Sequence, residues 1–258
     1  MAIYHCQIKL IKRSAGRSVT AAAAYRSGTR IKDKRTGEVH NYTRRQGIDY
    51  TAILIPEQAP TWMLQRDVLW NAVEIAERRK NSQLARYVEV ALPREFNLEQ
   101  QIALITGFAQ QQFVDQGMVA EITIHNTGTE NPCAHILLTM RDITKAGFGQ
   151  KNRQWNNRKL VVQWREGWAI AVNQMLEAEG FSQRVDHRSL KDRGIDRLPG
   201  CHLGAAAAAM ERRGQLSERG NLNRSVAQEN RKLEQIHARI NTLDQQLTEL
   251  EQQRKVSS

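Results

Sequence analysis

Long apolar runs are missing from this chain: nowhere in its 258 residues is there a stretch of the roughly 18 apolar residues that a helix needs to cross a bilayer. The opening MAIYHCQIKLIKRS also lacks the apolar segment and small-residue cleavage site of a secretion signal. Cysteine is scarce. Cys6, Cys133 and Cys201 stand far apart with no CxxC pair, which argues against a disulfide framework and against a zinc finger. These absences lead to the expectation of a soluble, cytoplasmic protein in a reducing compartment.

Acidic residues are the other shortage. Against 38 Lys and Arg there are 27 Asp and Glu, giving a net charge of +11 and an isoelectric point near 9.9. Such a balance favours a polyanionic partner, because cations that neutralise phosphates release condensed counterions. The excess is concentrated: between Lys9 and Arg45 there are eleven basic residues and only Asp33 and Glu38 to oppose them. A charge run is often no more than a solvated face, so what lies inside it decides its meaning.

Periodicity organises the chain as α+β, a central antiparallel sheet flanked by helices. Residues 3 to 11 alternate in polarity, as a half-buried strand does. Ser18 can cap a helix through the alanines 21 to 24 that carries Tyr25 at its surface. A charged turn or hairpin follows around Gly37. Residues 61 to 83 have helical spacing, Arg86 to Leu92 alternate with Glu89 facing away from the apolar row, and Leu98 to Gln116 form a second helix that stops at Gly117. Val119 to His125 and Cys133 to Arg141 then make a hairpin across the turn-rich NTGTENP. Gly147 to Asn157 is polar and loop-like, and Val161 to Gly180 is helical, with Trp164 and Trp168 as core anchors. Residues 1–204 are expected to form the catalytic domain and 205–258 a helical tail. In that tail Leu233, Ile236, Ile240, Leu243, Leu247 and Leu250 follow the heptad spacing of a coiled coil or of a helix docking on a partner.

Side-chain parity locates the chemistry. Glu121, Thr123 and His125 share one face of the first hairpin strand, and Cys133, His135 and Leu137 one face of the second. The hairpin makes these strand ends neighbours, so His125, Cys133 and His135 can converge on one metal ion. Two of seven histidines can equally be solvated or hydrogen-bonded residues without a ligand. Tyr25 on an alanine-rich helix is by itself an ordinary packing residue, but Arg17, Arg26 and Arg30 surround it in sequence, and a phosphate drawn to them would approach the phenol.

Five ordered blocks resemble the MobA/MobL mobilisation relaxases, tyrosine endonucleases with a histidine-hydrophobic-histidine motif: MAIYH, GRSVTAAAAYR, YVEVALPRE, IHNTGTENPCAHILLTMR and VDHRSLKDRGIDRLPGCHLG, spanning residue 1 to about 204. The resemblance implies a palm-like sheet shared with rolling-circle initiators. It also implies nicking and rejoining of single-stranded DNA at an origin of transfer, with Tyr25 as nucleophile and a 5′-phosphotyrosine intermediate. His125 and His135 match two of the family's three metal-binding histidines, and the third falls at Cys133. Glu89 matches an acidic active-site position whose task is to orient a ligating histidine.

The family implies Mg²⁺ or Mn²⁺, whereas a thiolate at Cys133 favours Zn²⁺ or another transition metal. Cys133 can also stand aside, leaving two histidines and water. Implied partners are relaxosome accessory proteins, a coupling protein and a type IV secretion apparatus, with the protein transferred alongside the DNA. Two other readings remain open, a rolling-circle replication initiator and a non-catalytic basic DNA-binding accessory protein with an impaired metal site.

Overall fold

A computed structural model of the chain describes residues 4–127, 131–201 and 203–256. It divides into two compact units, Met1–His187 and Arg188–Ser258. No helix of the described residues is long and apolar enough to cross a membrane.

The first unit is built on an antiparallel sheet of five strands: β1 (Cys6–Lys12), β4 (Ile48–Leu54), β5 (Gln83–Ala91), β6 (Ala120–His125) and β7 (Cys133–Leu138). Their order is β1-β5-β7-β6-β4. Two small hairpins stand apart from it, β2 (Arg30–Lys32) with β3 (Val39–Asn41), and β8 (Arg141–Thr144) with β9 (Gly147–Lys151). This is the expected α+β class with an antiparallel centre.

Because strand side chains alternate, the sheet has two chemically different faces. Val88, Val90, Ile122, Ile124, Ala134, Ile136 and Leu138 face one core, closed by α3 (Leu98–Ala109) and α4 (Arg158–Ala178). Phe108 meets Trp168 edge-on at 5.0 Å and Phe113 meets Trp164 at 5.4 Å; such pairs add about 1 kcal/mol each beyond the area they bury. The opposite face carries Ala85, Tyr87 and Leu137 against α1 (Val19–Ser27) and α2 (Arg66–Ala76). Farther along that face the apolar side chains give way to Glu89, Thr123, His125, Cys133 and His135.

Several elements depart from expectation. β1 runs Cys6–Lys12, shifted from 3–11, and residues 1–3 lie outside the described ones. The helix placed over 61–83 is shorter: Thr61–Leu64 is a separate 3-10 turn, α2 stops at Ala76, and Gln83 already belongs to β5. The helix placed over 98–116 passes at Gln110 into a five-residue π segment before the left-handed Gly117. The stretch from Gly147 is not a loop but strand β9, paired with β8 although little of either is apolar. The tip of the NTGTENP turn, residues 128–130, lies outside the described residues.

The second unit contains α5 (Gly204–Arg212) and α6 (Glu218–Val256). Asn223 and Asn230, two turns apart on α6, each bind one residue of the preceding segment through both amide and carbonyl: Asn223 binds Cys201 at 2.8 and 2.8 Å, and Asn230 binds Leu198 at 2.8 and 3.0 Å. The polar stretch before residue 230 is thus already part of the long helix. Ile236, Ile240, Leu243, Leu247 and Leu250 form an exposed apolar seam on it.

Candidate functional site

Register fixes the ligand cluster before any side-chain detail. Cys133 lies opposite His125 on β6, and His135, two residues on, lies between Thr123 and Glu89. All therefore project from one face. One ligand atom from each of His125, Cys133 and His135 lies within 4.8 Å of the others, close enough to share an ion.

The protonation of these groups fits a divalent metal. Burial, with the charges of His125, Arg26, Arg45 and His5, lowers the His135 pKa to about 2, so its imidazole is neutral. Burial also lowers His125. Burial and the Glu89 carboxylate push the Cys133 thiol up to about 11, so coordination through sulfur must displace a proton. Two neutral imidazoles and a displaceable thiol proton make a donor set for a borderline or softer ion, and one that Mg²⁺ fills poorly.

Tyr25 reaches this face from α1. Ser18 caps that helix by accepting from the Ala21 amide at 3.3 Å. Beneath it the Glu74 carboxylate accepts from the Val19 amide at 2.8 Å, and the buried Asp33 carboxylate accepts from Thr20 at 2.9 Å and Ser18 at 3.2 Å. Ala23 and Ala24 are completely buried, and the small side chains let the helix lie close to its neighbours. One residue later the helix has turned by about 100°, and Tyr25 is 47% exposed. Gly28 ends the helix with φ +63°, and a Cβ there would meet Ile48 Cδ1 at 2.4 Å. The left-handed turn there favours glycine.

Arg45 joins the phenol to the cluster. Its guanidinium lies 3.8 Å from the centre of the Tyr25 ring, donates to the Tyr25 carbonyl at 2.9 Å and approaches His125 Nδ1 at 3.4 Å. Tyr42 packs edge-on against Tyr25 at 5.3 Å. The Arg45 loop is held to the end of β6 at Gly47: its carbonyl accepts from the Asn126 amide at 3.1 Å, and a Cβ at that glycine would meet Asn126 Oδ1 at 2.8 Å.

Arg26, the neighbour of Tyr25 in sequence, turns elsewhere. It stacks over the Tyr87 ring at 4.0 Å and donates to the Ala22 carbonyl, while its own carbonyl lies 2.8 Å from His125 Nε2. Arg17 and Arg30 are exposed, without side-chain hydrogen bonds or ion pairs among the described residues. Glu89 makes no direct bond to His135. Tyr87 stands between them, its hydroxyl 2.8 Å from Glu89 Oε2 and 2.6 Å from His135 Nδ1. Neither Arg45 nor Tyr87 was singled out from the sequence. Parity alone places Tyr87 on the Glu89 face, but nothing in the chain order signals that Arg45 returns to residue 25.

The sequence profile of the MobA/MobL family matches residues 17–213. The mobilization protein MobL of Acidithiobacillus ferridurans is 37% identical over 247 residues, covering 83% of this chain and 65% of that protein. A probable mobilization protein MobA of Bifidobacterium longum is 33% identical over 294 residues, covering 97% and 52%. A solved structure from work on the molecular basis of vancomycin resistance transfer in Staphylococcus aureus is 38% identical, with a TM-score of 0.70 over 73% of this chain and 100% of that one. The chain spans between 24% and 65% of the length of the first curated relatives it matches.

Proposed function

The chain belongs to the MobA/MobL family, and on that premise we propose that it nicks and rejoins one strand of DNA at a plasmid origin of transfer through a phosphotyrosine at Tyr25. One observation carries the proposal. A half-exposed phenol, a guanidinium and a three-donor ligand cluster are joined through Arg45, which touches both Tyr25 and His125.

In this reading the strand lies across the Glu89–His135 end of the sheet, with the scissile phosphate drawn to Arg45. Arg17, Arg26 and Arg30 supply positive charge for the backbone on either side. Tyr25 Oη bonds to phosphorus, the bond to the 3′ oxygen breaks, and the phenol's proton leaves as the 3′ hydroxyl gains one. One phosphodiester replaces another, so a free 3′ hydroxyl can reverse the step without ATP. Arg45 holds a phosphate oxygen beside the ring and balances charge that grows on the phosphoryl group. His125, Cys133 and His135 would hold a divalent ion, which when bound polarises a non-bridging oxygen. With Cys133 in the set, Zn²⁺ or another thiolate-binding transition ion is favoured over Mg²⁺ and Mn²⁺.

The catalytic work belongs to residues up to about 204. The apolar seam of α6, in the tail from 205, is read as a surface for another helix. Names such as mobilization protein and conjugal transfer protein among the relatives support a place with relaxosome proteins, a coupling protein and a secretion apparatus. The test is a labelled oligonucleotide spanning the transfer origin, incubated with Mg²⁺, Mn²⁺ or Zn²⁺ and run on a denaturing gel. The proposal expects a protein–DNA adduct that disappears in Tyr25→Phe. No adduct with any ion contradicts it and leaves a DNA-binding accessory protein, and an adduct formed only on a replication origin makes the chain a rolling-circle initiator.

A further inference from the structure

We infer that Tyr87 is a positioning residue that relays Glu89 to His135 and fixes which nitrogen of that imidazole faces Cys133. The inference rests on the reading of His135 as a metal ligand and adds the device that prepares it.

Hydrogen-bond geometry and the number of protons available fix the tautomer. Strand β5 puts residues 87 and 89 on the same face, and Glu89 lies directly opposite His135 on β7. Instead of meeting, these two side chains share one phenol oxygen, at 2.8 Å from Glu89 Oε2 and 2.6 Å from His135 Nδ1. A carboxylate only accepts, and a phenol has one proton to give. The phenol donates that proton to Glu89. At 2.6 Å an unprotonated Nδ1 would then face the phenol oxygen lone pair against lone pair. Nδ1 must therefore carry the hydrogen and donate it to Tyr87.

An imidazole that ligates a metal carries one ring proton, so with Nδ1 holding it Nε2 is left with the free lone pair. That nitrogen lies 3.6 Å from Cys133 Sγ, on the cluster side. Ring geometry supports the arrangement: the Tyr87 and His135 rings stack with centres 5.7 Å apart and planes 18° from parallel, which limits rotation of the imidazole, and Arg26 over the Tyr87 ring steadies the phenol in turn. Metal-binding histidines commonly receive this service from a carboxylate or a carbonyl. Here a buried tyrosine extends the reach of a carboxylate that does not touch the imidazole.

The test reads the tautomer and the ligand site separately. In metal-free protein labelled with ¹⁵N-histidine, the His135 ring should show a protonated Nδ1 and an unprotonated Nε2, and Tyr87→Phe, which keeps the ring, should give a tautomer mixture. An Nε2-protonated ring in the unsubstituted protein overturns the inference. Binding of Mn²⁺ and of Zn²⁺, each added alone and followed by titration calorimetry, should weaken about 10- to 100-fold in Tyr87→Phe. Glu89→Gln should weaken it similarly, and the double substitution should be no worse than the more severe single one, as expected of one chain. If His135→Ala abolishes binding while Tyr87→Phe leaves it unchanged, the relay is wrong and the ligand site stands. If His135→Ala also leaves binding unchanged, the reading of the site itself fails.

Discussion

Arginine is handled in opposite ways at the two ends of the sheet face that α1 and α2 cover. Around α2 three arginines meet buried carboxylates: Arg13 pairs with Glu74 at 2.6 Å, Arg141 with Glu77 at 3.0 Å, and Arg66 with Glu121. Around Tyr25 neither Arg26 nor Arg45 forms an ion pair among the described residues, and both lie over aromatic rings. A buried charge pair loses heavily when one partner is removed, whereas a guanidinium balanced by ring faces and carbonyl oxygens leaves its charge available to an incoming anion. The first arrangement holds the α1–α2 framework in place. The second leaves a positive site beside a half-exposed phenol, and burial, reinforced by the same charges, depresses the His125 and His135 pKa values.

The sharpest way to break this contrast is to remove one carboxylate and one unpaired arginine and compare. Glu74→Ala removes the carboxylate that pairs with Arg13 and leaves the Val19 amide without its acceptor, and urea unfolding should show a loss of about 3–5 kcal/mol. Arg45→Ala should change stability by less than about 1 kcal/mol yet slow adduct formation about 100-fold, measured as single-turnover rates on the oligonucleotide. Equal stability losses in the two variants would erase the distinction. A smaller effect is expected at Cys133→His, where Zn²⁺ affinity should fall relative to Mn²⁺ and Mg²⁺ in competition titrations, while unchanged preference would show that Cys133 stands outside the ligand set.

The smallest effect concerns pH. Burial alone would raise the Asp33 pKa, but hydrogen bonds from Thr20, the Thr36 and Arg35 amides and Ser18 outweigh it, and the net shift is downward. A depressed carboxyl contributes stability above its unfolded pKa, roughly 3.9, and loses it as pH falls through the folded value. Asp33→Asn should therefore cost about 1 kcal/mol at neutral pH, and the difference in chemical denaturation should fade below about pH 4.

Much of this was legible in the chain itself. Period-two parity placed His125, Cys133 and His135 on one face of a hairpin and set Glu89 away from the apolar row, and the register of β5, β6 and β7 repeats that pattern residue for residue. Ser18 announced the helix that carries Tyr25. What escaped has physical reasons. β4 is an edge strand with intermediate burial along most of its length, and β8 and β9 have almost no apolar alternation. Arg26 drew attention because it follows Tyr25, yet helical geometry turns adjacent side chains about 100° apart. Arg45 comes back from twenty residues away through a loop fixed at Gly28 and Gly47. The polar segment before residue 230 lacks an apolar stripe, and two asparagines binding the preceding backbone supply its packing instead.

The most direct test of the central claim, that the end of this face where Arg26 and Arg45 lie over aromatic rings transfers a phosphodiester to Tyr25, is peptide mapping of the trapped adduct. After nuclease and protease digestion, mass spectrometry should find the nucleotide on the peptide containing Tyr25. Attachment at Tyr42, whose ring lies 5.3 Å away, or at Tyr50 would contradict it.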